Sequence, residues 1–177
     1  MTPTTANPKP NAVDPRSYFA DDDNCCPVFD PTPWDGTTHV WKDRLFFRRD
    51  VRQVMHVPIG MGRVITHMLR EINDAGAIPD AKDWLMLAYD PSPWKSELLM
   101  SVTKEVPGGS MVRLTGTFFT KVYDGPYREV PHWIAATDAL LASRNQKAIK
   151  YYFHYAYCPK CSKKYGHNYC VAFAQVA

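Results

Sequence analysis

The sequence has no apolar run near the roughly 18 residues that suggest a membrane span, and its first stretch, MTPTTANPKPNAVDPR, lacks the apolar core of a signal peptide. No membrane partner is indicated, and the expected address is the cytoplasm. Charge of one sign is also scarce: 21 Lys and Arg stand against 18 Asp and Glu, a net of +3. The basic residues are scattered rather than gathered into the stripe that tracks a phosphate backbone, so nucleic acid is not an expected partner, and Arg48-Arg49 and Lys163-Lys164 read as solvated surface. Five cysteines are too few, and odd in number, for a secreted disulfide framework. Also missing are a Gly-x-Ser-x-Gly elbow, a His-Glu-x-x-His helix and a Gly-x-x-x-x-Gly-Lys phosphate loop, which removes the standard hydrolase and nucleotide machinery.

Hydrophobic residues make up 45% of the 177-residue chain and charged ones 22%, which suits one compact domain with a full core. Residues 1–23 are polar and proline-containing without apolar period, and read as a flexible arm before a domain spanning 24–177. NCCPVFDPTPWDG reads as an ordered loop, restricted by Pro27, Pro31 and Pro33. WKDRLFFRRDVRQVMHV has the β-branched and aromatic content of one long or bent strand. Met61, Val64, Ile65, Met68, Leu69 and Ile72 then recur at helical spacing up to Gly76. DWLMLAY and ELLMSVTKEV follow as strands around a DPSPW turn, and Pro107-Gly108-Gly109 closes the unit.

The same order then begins again. MVRLTGTFFTKVY reads as a strand, DGPY as a turn, and Val130, Trp133, Ile134, Thr137, Leu140 and Leu141 as one helical face, with KYYFHYAY and NYCVAFAQV as the last two strands. Pro58, Ala88, Tyr89 and Pro91 recur as Pro126, Ala156, Tyr157 and Pro159 at a constant offset, and the helix faces align with one residue of slip. Order, spacing and identity agree, which marks two half-repeats at about 41–107 and 111–177.

This doubled strand-helix-strand-strand unit, with Gly125-Pro126-Tyr127 feeding its second helix, resembles the GyrI-like (SOUL-related) small-molecule-binding superfamily over about Trp41 to Ala177. CCPVFDPTPWD, GTFFTKVYDGPY and YCPKCSKKYGHNYCVAFAQV are similar to a stand-alone subgroup often labelled hydrolases, a label that carries no reaction onto particular residues. The resemblance implies an aromatic-lined central pocket, in some members with a buried acid that pairs with cationic drugs.

The expected fold is α+β: tandem modules forming one antiparallel sheet with both helices on one face and a pseudo-twofold between the halves. Pockets favour such seams. Alternation along KYYFHYAY places Tyr151, Phe153, Tyr155 and Tyr157 on one face and Tyr152, His154 and Ala156 on the other. A row of phenols needing partners suits a partly wet wall, although ordinary sheet packing explains the same pattern. Trp133 and Tyr123 extend the candidate ligand-binding set, and His154 is a neutral-pH donor or acceptor within it. Among acids, Glu97, Glu105 and Glu129 are the candidates to face a ligand; Glu97 is retained, and Glu129 reads as a helix-end stabiliser.

YCPKCSKKYGHNYC admits four readings: a metal clip, a redox pair, a nucleophile, or a tight turn with no task. Zinc is the candidate cofactor. A structural zinc takes four protein ligands, and Cys25 and Cys26 are expected to join Cys158 and Cys161, with His167 or Cys170 able to replace one. A redox pair would open a helix that lowers a thiol pKa, whereas Pro159 and the lysines suggest a hairpin loop. Two functions follow: a module binding an apolar or aromatic small molecule between related halves, or a hydrolase acting on an electrophile in the same pocket. Catalytic residues and oligomeric state have no sequence signal.

Overall fold

In the computed structural model of the chain, the described residues are Cys26, 28–80 and 83–177. The expected arm and Cys25 lie outside them. Among these residues, seven strands and three α-helices follow the order expected from the pattern, with one short strand and one helix added.

The first strand, β1 (Thr37–Val54), is 18 residues long and bends at a register shift between Trp41 and Arg44. Asp43 sits there at φ 51°, its N–H donated to Thr115 Oγ1 at 2.9 Å. A two-residue turn of Met55 and His56, both at positive φ, leads into β2 (Val57–Pro58). Helix α1 (Met61–Asp74) buries Met68, Leu69 and Ile72, part of the stripe expected from its spacing. Strand β3 (Met86–Ser92) runs on through Asp90 and Pro91 into what the sequence suggested was a turn. The Gln53 side chain explains this, donating to the carbonyls of Ser92 and Lys95 at 2.9 Å each and drawing β4 (Lys95–Ser101) close.

Strand β5 (Ser110–Asp124) is followed by a 3-10 turn at Tyr127–Glu129, helix α2 (Val130–Ala142) and β6 (Ala148–Tyr155). Next, where a hairpin loop was expected, stands helix α3 (Pro159–Tyr165), and β7 (Tyr169–Val176) ends the order. Pro159 at the first helical position needs no N–H and fixes a helical φ. Gly166 stops the helix at φ 72°.

Every pairing is antiparallel, and β1 pairs with both β4 and β5. The order β1-β4-β3-β6-β7-β5 therefore closes on itself, and the single antiparallel sheet expected from the sequence curls into a barrel, a closure that expectation did not specify. Closure decides which face is core. Trp41, Phe46, Leu87, Leu99, Phe118, Tyr152 and Phe173 fill the interior as one cluster. Alternate residues of the same strands point outward, where α1 covers Phe47, Val51, Leu98 and Met100 and α2 covers Phe119, Phe153, Ala172 and Ala174. Both helices thus share the outer face. No helix among the described residues is long and apolar enough to cross a membrane.

Candidate functional site

The aromatic row of β6 divides as alternation predicts. Tyr152 points into the barrel, while Tyr151, Phe153 and Tyr155 face outward toward α2. Most of the outward set is consumed by packing. The Tyr151 hydroxyl donates to Asp138 Oδ1 at 2.7 Å, Phe153 is buried, and Tyr123 stacks on Trp133 with ring centroids 5.3 Å apart. The Tyr123 hydroxyl meets the Trp133 carbonyl at 3.1 Å and Thr137 Oγ1 at 2.8 Å.

Tyr155 is different. It packs partly exposed against both the cluster under α1 and the cluster under α2. Its hydroxyl hydrogen-bonds the buried Cys170 thiol, and its ring lies 5.7 Å from that of Tyr127. Tyr127 in turn donates to Asp90 Oδ2 at 2.8 Å, and His56 Nδ1 stands 3.6 Å from the same oxygen. Two phenols, a carboxylate and an imidazole therefore line the outer seam between β3 and β6. Burial pushes the Tyr155 and Tyr127 phenols well above their ordinary range, and it does the same to the Cys170 thiol. These groups stay neutral near pH 7, as hydrogen-bond donors.

The remaining sequence candidates fall elsewhere. Glu97 sits on the inner face of β4, 3.6 Å from Arg48 and 3.3 Å from Lys95, on the opposite side of the wall from Tyr155. Burial, and then the nearby Glu97 carboxylate, push the inward Tyr152 phenol up to about 12. His154 also points inward, its Nδ1 3.0 Å from the Met86 carbonyl across the seam. Glu105 is exposed beside Arg113, and Glu129 pairs with His132 at 2.9 Å at the start of α2. Asp90 was missed because it reads as the first residue of a DPSPW turn. The signal for it is the repeat itself, since Asp90 falls between the matched Tyr89 and Pro91 where the second half has Cys158.

Cys158 caps α3, and Cys161 follows within its first turn. Cys26 meets them from the other end of the sequence, and the three sulfurs lie within 4.8 Å of one another. Tyr157, beyond the end of β6, belongs to this group rather than to the aromatic row. It accepts the Phe29 N–H at 2.8 Å, and the Tyr165 hydroxyl donates to the Cys26 carbonyl at 2.9 Å. Cys170 does not join the three sulfurs; it lies under α2 with Phe153. His167 turns to Asp124 at 2.7 Å. The pair does open a helix, contrary to the hairpin loop expected of it, yet Cys26 and Cys161 are buried, which closes two of the sulfurs to exchange with an outside thiol.

The model of the bacterial hydrolase family matches residues 17–176, and the chain belongs to that family. No curated protein matches it. Among solved structures, an uncharacterized conserved protein from Listeria innocua superposes with a TM-score of 0.59 at 10% identity, covering 80% of this chain and 91% of the other. The EcmrR C-terminal domain superposes with a TM-score of 0.58 at 8% identity, covering 81% and 98%. Identities this low show a shared fold alone.

Proposed function

We propose that this chain is a small-molecule-binding domain of GyrI-like type, holding an apolar or aromatic ligand against Tyr155 in the cleft between α1 and α2. Its two halves are related by a pseudo-twofold. Support for that relation is the connectivity: β1-α1-β3-β4 and β5-α2-β6-β7 have the same order, and each half pairs its first strand with its last and its last with its middle one. The observation that carries the reading is the position of Tyr155. It alone among the β6 aromatics bridges the two outer clusters while remaining partly exposed beside an acid. Asp90 takes the role that the sequence offered to Glu97, facing a cationic group on the ligand.

The family description favours a second reading, a hydrolase. At this site the neutral phenols and thiol supply no activated nucleophile. At the barrel end, His39 Nε2 meets the hydroxyls of Thr37 and Thr120 at 3.0 and 3.2 Å. Both hydroxyls also have carbonyls within donating distance, that of Pro33 for Thr37 and that of Thr37 for Thr120. With their protons so directed, neither is poised to lose one to the imidazole.

Titration calorimetry with tetraphenylphosphonium, an aromatic cation, tests the binding reading. Asp90→Asn is expected to weaken binding about tenfold, on the order of 1.4 kcal/mol, with the fold intact. Absence of binding by the parent chain, or equal binding by the variant, would overturn the site. Turnover of an ester or epoxide panel that disappears in Tyr155→Phe would replace it with the hydrolase reading.

A further inference from the structure

We propose that Cys26, Cys158 and Cys161 form a largely buried thiolate site for a soft divalent metal of the zinc class, which fastens Cys26 to α3. The site is separate from the cleft at Tyr155 and stands whether or not that cleft binds a ligand. Cys25, expected from the sequence as a fourth ligand, lies outside the described residues, and the inference rests on the other three.

Three observations carry it. First, a tetrahedral metal with sulfur bonds of about 2.3 Å brings its thiolates to about 3.8 Å from one another. The three sulfurs already lie within 4.8 Å, so a small contraction seats the ion. Second, the backbone N–H of Cys158 points at Cys26 Sγ at 3.3 Å, and that of Cys161 at Cys158 Sγ at 3.5 Å. Donors aimed at sulfur favour the charged thiolate over the thiol. Third, the group joins residues 132 positions apart, and its buried Cys26 and Cys161 and partly buried Cys158 pack with Tyr157, Ala156, Phe29 and Tyr169. Three thiols that converge at one point exceed what one disulfide uses.

On binding, each thiol gives its proton to solvent as its sulfur forms a bond to the ion, and the ion keeps its oxidation state. No oxidant is needed. Cys26 and Cys161 are buried and Cys158 partly so; three sulfurs leave the fourth position of a tetrahedral ion to a further ligand, and the work assigned to the ion is to fasten two parts of the chain together. What it would hold is Cys26 and, close by, Phe29, whose ring lies 5.6 Å from Tyr169 and 6.3 Å from His154 at the barrel end.

The test uses the full chain, expressed with added zinc and purified under reducing conditions. Elemental analysis is expected to give about one zinc per chain, falling at least tenfold in the Cys158→Ser/Cys161→Ser pair and unchanged in Cys170→Ser. Cobalt exchanged into the parent chain is expected to show a thiolate-to-metal charge-transfer band whose intensity reports three or more sulfurs. Because the paired variant has lost the buried Cys161 as well as Cys158 and can fail to fold, the cobalt spectrum of the parent chain decides independently. Folded parent protein without stoichiometric zinc and without that band overturns the proposal, as does a folded paired variant that keeps its metal.

Discussion

Gly108 and Gly109 sit side by side in one turn and serve different needs. Gly108 adopts φ +73° with nothing near the place of a Cβ, whereas a Cβ on Gly109 would fall 1.7 Å from Cε2 of Phe47. Phe47 has no room to retreat, being wholly buried with the Arg49 guanidinium 5.0 Å above its ring. Gly109→Ala is therefore expected to destabilise the fold by about 1–3 kcal/mol through overpacking, read as a lowered urea midpoint at unchanged slope. Gly108→Ala instead incurs backbone strain alone. The sequence marked both residues as a turn, since Pro-Gly-Gly requires no tertiary knowledge. Which glycine needs the space depends on the ring of Phe47, far earlier in the chain, and no local pattern holds that. Asp90 shows the same limit, because its partners Tyr127 and His56 come from distant parts of the chain.

Strand β6 shows how much an element discloses. Its alternation was legible, and the two faces separate as the period demands. Which face would carry the helix was not, because either row of aromatics makes an acceptable core until the ring closes. The inward His154 illustrates the outcome. Desolvation holds its imidazole below the usual pKa, opposed by its bond to the Met86 backbone, and the half-buried His39 is shifted the same way, chiefly by burial. The unfolded chain therefore takes up protons that the folded one refuses as pH falls below about 6.5. The stability due to these two histidines is fully present above that pH and declines until their lower folded pKa values are passed. Melting temperature is expected to fall from pH 7.5 to pH 5, with a shallower slope in His154→Gln. An unchanged slope in that variant would assign the dependence elsewhere.

At the scale of the whole molecule, the succession of elements along the chain and helix spacing were readable, and barrel closure was not. The β1–β5 pairing joins Thr37 to Thr120 and Arg48 to Ser110, contacts that leave no trace in local composition. The ring is also uneven. β1 and β5 share a long register, while β3 and β6 meet through the single pair Ala88 and Phe153, supplemented by His154 reaching the Met86 backbone. Hydrogen exchange is expected to show the amides along that seam opening well before those of β1 and β5, since local opening follows local hydrogen bonding and packing. Equal protection around the ring would contradict this.

Such a weak point has a mechanical meaning. A hoop with one compliant joint widens there first, and α1 and α2 ride on either side of that joint like the two arms of a clamp. For the ligand proposed at Tyr155, size would then be set by how far the joint yields, and stiffening it, rather than repainting its lining, would be the change that narrows what fits.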